Sequence, residues 1–152
     1  MFLSRFLHKT VIEGEVLDLR LDQVRRPDAS NLYVGSEIFC ICLHGTNVKI
    51  GECDLRLGMN EELYYAGNIG YRIYERYRGH GYAYESAVML MNYARDRYGM
   101  KELILTCSPD NIPSRKTLEK LGGELIATVP VPHWHWLYRR GETVKNIYRW
   151  QL

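Results

Sequence analysis

Two glycines set among arginines and aromatic residues carry the strongest chemical signal in this 152-residue chain, in the run Arg76-Tyr77-Arg78-Gly79-His80-Gly81-Tyr82-Ala83. The run stands between a segment that reads as a strand and one that reads as a helix. Glycines allow the backbone to come close to a bulky ligand. The first N–H groups of a helix lack internal partners, and the helix dipole is positive there. A strand-to-helix turn of this kind is suited to bind phosphate, and Arg78, with Arg76, adds full positive charge. A Gly-x-Gly turn that holds no ligand has the same local pattern. The Gly-Lys-Ser/Thr ending of a Walker A loop is absent, and so is the longer glycine pattern of dinucleotide-binding folds.

Two further groups of residues invite chemistry. His133-Trp134-His135-Trp136 places two imidazoles on an alternating chain, but no third ligand is evident, so no metal is expected. The run reads as an aromatic segment that packs, or that covers one end of a cleft. Glu52 and Asp54 lie two apart and share one face of a strand. They matter if that face lines a cleft, and are ordinary surface charges if it meets solvent.

The elements that must position these residues follow from periodicity. Residues 13–21 read as a first strand, residues 22–31 as a loop or short helix, and residues 37–43 as a buried strand. A turn at 44–47 and a strand at 48–57 make a hairpin. After a turn at 58–62, residues 64–74 alternate around Gly67 and Gly70 as a strand with a bulge. The period then becomes helical. Ala83, Ala87, Leu90, Met91 and Ala94 share one face of a helix over 82–98, which Gly99 stops. A short strand at 102–107 precedes a second helix, capped by Asn111, admitting Pro113 in its first turn and ending at Gly122. Residues 124–131 and 143–151 read as closing strands. An antiparallel meander followed by a strand-helix-strand crossover predicts an α/β (α+β) fold: a mixed, mostly antiparallel sheet with one parallel crossover and helices on its faces.

The bulk properties set limits. The length suits one domain over residues 1–152. A formal charge of +2 and the lack of a Lys/Arg block argue against a nucleic-acid partner. No run reaches the ~20 apolar residues of a membrane span, and residues 1–11 lack the core and cleavage site of a leader. Cys40, Cys42, Cys53 and Cys107 fall in strand-like runs without a CxxC pair. They read as small buried hydrophobes in a reducing cytoplasm.

Arg78-x-x-Gly81-x-Ala83 resembles the RxxGx[G/A] pyrophosphate motif of the GNAT N-acetyltransferase superfamily. Residues 71–85 are similar to that superfamily's strand, loop and helix almost throughout. Asn111-x-x-Ser114, with Leu118-Glu119-Lys120-Leu121-Gly122, resembles its second cofactor segment at the matching distance. Together these cover a cofactor core of about residues 67–123, and the second segment is most like the ribosomal-protein N-terminal acetyltransferase (RimJ/RimL-like) branch. The common version of that segment carries Tyr where this chain has Leu118.

The resemblance implies direct transfer of acetyl from acetyl-CoA to a primary amine. It assigns the pyrophosphate to Arg78, Gly79, His80, Gly81, Tyr82 and Ala83. The pantetheine arm lies between two splayed strands, held by backbone groups near Ile73 and Tyr74 and by Asn111. Ser114 offers a hydroxyl near the sulfur, and Arg115 reaches a phosphate. A protonated amine is no nucleophile, so a base must take its proton; Glu52 is the leading candidate, beside Asp54, Tyr71, Glu85, His133 and His135. The Tyr of relatives is thought to protonate the departing thiolate, which Leu118 cannot do. The acceptor is a protein N-terminus or a small amine such as a polyamine, amino sugar or amino acid, and the chain is a monomer or homodimer. A non-catalytic acyl-CoA-binding module is the alternative of a different class.

Overall fold

The computed structural model of the protein describes residues 10–152. The expected lack of a leader at residues 1–11 lies almost wholly outside the described residues. Within them the elements run β1 (Val11–Glu13), β2 (Leu17–Arg25), β3 (Ser36–Leu43), β4 (Lys49–Arg56), α1 (Glu61–Ala66), β5 (Ile69–Ile73), α2 (Tyr82–Tyr98), β6 (Glu102–Cys107), α3 (Ile112–Lys120), β7 (Glu124–Pro130), α4 (Trp136–Arg139) and β8 (Val144–Gln151). The first five strands form an antiparallel meander in chain order. The last three form a second antiparallel sheet, in the order β6-β8-β7. No helix among the described residues is long and apolar enough to cross a membrane.

Register decides which residues share a face. Phe39, Cys53 and Tyr71 stand opposite one another across β3, β4 and β5, and the next row is Cys40, Glu52 and Arg72. Alternation therefore sends Phe39, Ile41, Cys53 and Leu55 to one face, and Glu52, Asp54 and Arg72 to the other. α2 covers the first face. Its Ala87, Leu90 and Ala94 are fully buried and Met91 is nearly so, with Ala83 partly buried against the same core. This is the predicted stripe, and each fully buried Leu or Met contributes about 1.5–3 kcal/mol. The helix ends as expected at Gly99, whose φ is 63° and whose N–H bonds back into the last turn.

Three elements differ from expectation, each for a local reason. Residues 64–74 are not one strand. Asn60 caps a short helix by accepting from the Leu63 N–H at 2.8 Å, and Glu61 and Glu62 favour its positive end. That helix stops at Gly67, and only Ile69–Ile73 is extended. Residues 13–21 are split by a turn in which the Gly14 N–H bonds the Leu17 carbonyl. The following strand runs on to Arg25, because a register shift between Leu21 and Gln23 breaks the alternation without ending the pairing. The aromatic stretch at 130–141 contains the one-turn helix α4, begun by His135 Nδ1 accepting from the Leu137 N–H.

The two sheets share one core, and a hydrogen-bonded rung joins them at Asn68. The fully buried Asn68 takes the place of a ladder rung: its N–H donates to the Ile104 carbonyl at 2.6 Å, and its Oδ1 accepts from the Ile104 N–H at 2.8 Å. Gly67 makes this approach possible. Its φ is 82°, and a Cβ there would sit 3.1 Å from the Ile104 carbonyl and 3.2 Å from Leu105 Cα. Beyond this point no backbone bond joins β5 to β6, so the crossover through α2 leaves the facing edge of β5 unpaired.

At the far end of the meander, the buried Asp18 carboxylate accepts from His44 Nδ1 at 2.8 Å and from the Gly45 N–H at 2.8 Å. Burial pushes the Asp18 carboxyl up, but its bonds from His44, Gly45 and Gly14 outweigh this and lower it overall. The hydrogen bond to Asp18 raises His44 above its ordinary 6.5. A raised folded-state value stabilises the fold below the unfolded value and loses that effect as pH rises through the folded one. Stability is therefore expected to fall gently as pH rises past the ordinary imidazole value of 6.5, and His44→Ala is expected to flatten that slope. Melting curves on either side of that value check it; an equal slope in both proteins contradicts it.

Candidate functional site

The loop between β5 and α2 is open and rich in unpaired donors. Gly79 and Gly81 have φ of 86° and 75°, and an added Cβ at either would meet nothing within 4 Å. Gly81 caps α2 without any side-chain hydrogen bond. The N–H groups from Gly79 to Tyr84 find no acceptor among the described residues, and the first bond into the helix runs from the Glu85 N–H to the Gly81 carbonyl. These N–H groups therefore stand without an internal acceptor at the positive end of a 17-residue helix. Arg78 stands beside them, its Nε donating to the Ile73 carbonyl at 3.1 Å. Its terminal nitrogens bond to nothing among the described residues. His80 and Tyr82 lie ring to ring at 5.3 Å on the same loop.

This loop joins the unpaired edge of β5. The Arg56 N–H donates to the Asn68 carbonyl and the Tyr74 N–H to the Ile50 carbonyl, so the even-numbered residues of β5 carry the ladder to β4. Antiparallel alternation turns the backbone groups of Tyr71 and Ile73 to the opposite edge. Tyr74 itself has no free backbone group, since its carbonyl accepts from the Tyr77 N–H at 2.8 Å. The open donors on this edge are thus those of Tyr71 and Ile73.

α3 closes the same side. Asn111 caps it, with Oδ1 accepting from the Ser114 N–H at 3.3 Å. Ser114 Oγ lies 3.2 Å from the Tyr71 hydroxyl. Burial pushes the Tyr71 phenol up, against the pull of its bonds to Ser114 and Thr117, so it stays protonated at neutral pH. Arg115 Nη1 reaches the Pro109 carbonyl at 3.4 Å, and its Nε lies 3.6 Å from Glu119. Leu118 is 1% exposed and belongs to the main core. No residue pairing hinted that Tyr71 and Ser114 meet: they are 43 positions apart, and packing alone joins them.

The opposite face of the sheet holds a cleft of about 670 Å³. Glu52, Asp54 and Arg72 form part of its floor, and residues 31–34, α1 and Trp136 form its walls. Glu52 accepts from Lys49 Nζ at 2.9 Å and from the Tyr74 hydroxyl at 3.4 Å. The Lys49 hydrogen bond, opposed by partial burial, holds its carboxyl below the usual range. Sequence reading missed this partner, because a spacing of three puts strand residues on opposite faces and the pair meets only beside the register shift between Ile41 and Cys42. Asp54 is gripped by Arg56 Nε at 2.7 Å. Glu85 lies in the first turn of α2, away from this floor.

The two histidines of the aromatic segment part company. His135 is fully buried, with Nδ1 accepting from Leu137 and Nε2 donating to the Glu62 carbonyl at 2.8 Å. Both its nitrogens are used, so it fastens the segment to α1. His133 stacks on Tyr138 at 4.3 Å. Trp134 and Trp136 remain exposed, and Trp136 Nε1 bonds Glu62 Oε1 at 2.7 Å.

Similarity to known proteins bears on the same residues. YjdG of Bacillus subtilis (strain 168), described as an uncharacterized N-acetyltransferase, is 36% identical over 70 residues, which cover 46% of this chain and 41% of that one. YnaD of the same organism, described likewise, is 30% identical over 87 residues, covering 57% and 49%. The chain thus spans less than half the length of the curated relatives it matches. In fold it resembles the ribosomal-protein-S5-alanine acetyltransferase of Vibrio fischeri, with a TM-score of 0.68 at 15% identity, covering 93% of this chain and 96% of that one. A family model described as an acetyltransferase (GNAT) domain matches residues 18–124, a span that holds the donor-rich loop, the open edge of β5 and the cap of α3, and the chain belongs to that family.

Proposed function

We propose that the protein is an acyl-CoA-dependent N-acetyltransferase that transfers acetyl directly from acetyl-CoA to a primary amine. The single observation that carries the reading is the run of N–H groups from Gly79 to Tyr84 that stand at the head of α2 without an acceptor among the described residues. Its chemistry suits a pyrophosphate, with Arg78 and His80 beside it. The open N–H groups of Tyr71 and Ile73, with the Tyr71 carbonyl, suit the amides of the pantetheine arm, with Asn111 across the gap and Arg115 placed toward a phosphate. An N–H from this edge stabilises the oxyanion that forms on the thioester carbonyl.

In this reading the amine nitrogen attacks the thioester carbon from the cleft side, and the carbon–sulfur bond breaks. Glu52, kept ionised by Lys49, receives the ammonium proton directly or through water. A thiol near pKa ~8.5 leaves as thiolate without strong acid help, and Ser114, backed by the Tyr71 hydroxyl, is the proton donor nearest that side. A protein N-terminus is the favoured acceptor class, supported by the fold likeness to ribosomal-protein acetyltransferases.

Acetyl-CoA is expected to raise the melting temperature. At 100 times Kd a ligand stabilises the native state by about 2.7 kcal/mol, which for a domain of this size is about 5–10 °C. A folded protein that shows no shift at millimolar acetyl-CoA contradicts the reading.

A further inference from the structure

The cleft carries charges of both signs, but they are not equally committed. Each carboxylate in its lining already has a protein donor: Lys49 Nζ on Glu52 at 2.9 Å, Arg56 Nε on Asp54 at 2.7 Å, and Trp136 Nε1 on Glu62 at 2.7 Å. Arg56 is spent as well, since it also donates to the carbonyls of Ala66 and Gly67 behind α1. Arg72 is different. Its closest carboxylate oxygen, on Glu52, stands at 3.8 Å, and its side chain is 67% exposed. Its guanidinium lies 5.5 Å from the Tyr74 ring centre, which steadies it without using its donors.

This asymmetry selects among amines. A polyamine brings a second ammonium into a cleft with no uncommitted carboxylate to receive it. A neutral monoamine gains nothing from Arg72. An amine that also bears a carboxylate gains a charge-assisted, planar contact that guanidinium is shaped to make. The apolar contact that accompanies it is already in position. Leu32 is half exposed on the cleft wall, in the left-handed region at φ 57°, and Asn60 Nδ2 holds its carbonyl at 2.7 Å. A left-handed backbone at a non-glycine residue persists only where its surroundings impose it.

We propose that the amine acceptor is itself acidic, carrying a carboxylate close to its amine, with the amine toward Glu52 and the carboxylate on Arg72. The proposal deepens the acetyltransferase reading and rests on it. The carboxylate has two sources with one chemistry: the α-carboxylate of a free amino acid, or an acidic side chain at the start of a peptide.

The test is CoA thiol release from acetyl-CoA with matched acceptors. The first arm compares leucine with leucinamide. The second compares short amidated peptides with Asp or Asn after the first residue. Spermidine completes the set. The acidic member of at least one pair is expected to show a kcat/KM at least about tenfold above its neutral match, the worth of one hydrogen bond to a charged group. In Arg72→Gln that ratio is expected to fall toward one, and Arg72→Lys to restore part of it. The arm that shows the preference identifies the source. Release with neutral amines or spermidine equal to or above that with the acidic ones overturns the proposal, as does a ratio that Arg72→Gln leaves unchanged in a protein whose melting temperature is also unchanged. No release with any amine overturns the acetyltransferase reading, and this proposal with it.

Discussion

Replacing Gly81 with Val is expected to weaken acetyl-CoA binding by about two orders of magnitude, while lowering stability far less. The N–H groups from Gly79 to Tyr84 have no acceptor among the described residues, so their use is left to a ligand. Gly81 has φ of 75°, and a side chain there would project into open space. Valine is strained in this backbone region by about 1–2 kcal/mol, which for a chain of this size is a few degrees of melting temperature. Its two methyl groups also occupy the path by which phosphate approaches the N–H groups. Losing one or two charge-assisted hydrogen bonds costs about 3 kcal/mol, hence the hundredfold loss. Titration calorimetry with acetyl-CoA, beside thermal melts, separates the two effects. Matching losses in affinity and stability would mean that the glycines serve only a tight turn.

The second large effect is on stability. Leu118 is 1% exposed inside the main core, so Leu118→Ala is expected to cost about 2–5 kcal/mol in loss of packing and in cavity. That is several degrees of melting temperature and more if the cavity stays open. The pH–rate profile is expected to keep its shape, with an ascending limb from the amine or its base, because Leu118 exchanges no proton. Ser114→Ala separates the remaining routes. Thiolate departure without help predicts little change in turnover. An alkaline limb in the wild type that Ser114→Ala removes would instead make the Ser114–Tyr71 pair the donor, and would refute departure without help.

The contrast between these two residues shows what could be read before the fold was known. α2 was legible because its apolar stripe runs over 17 residues and glycines with positive φ stand at both ends. The chemistry of the loop was legible for the same reason: a glycine before a helix is a statement about backbone, and backbone rules are local. α1 was not legible as a helix. Six residues are too few to show a period, and Leu63, Tyr65 and Ile69 mimic the alternation of a strand. Its one true signal was Asn60 followed by two glutamates. The surroundings of Glu52 were legible only in part. Its sharing a face with Asp54 follows from spacing, but its neighbour Arg72 comes from the pairing of β4 with β5. The meeting of Tyr71 with Ser114, and the capture of His135 by Glu62, depend on packing between elements far apart in the chain.

Turnover tests the account most directly. With acetyl-CoA and a panel of primary amines, free CoA thiol and acetylated amine are expected to appear in equal amounts. The rate at low acetyl-CoA is expected to fall in Gly81→Val in proportion to the lost affinity. Tight binding of acetyl-CoA with no thiol released for any amine would contradict the account, and would make the chain an acyl-CoA-binding module that does no transfer.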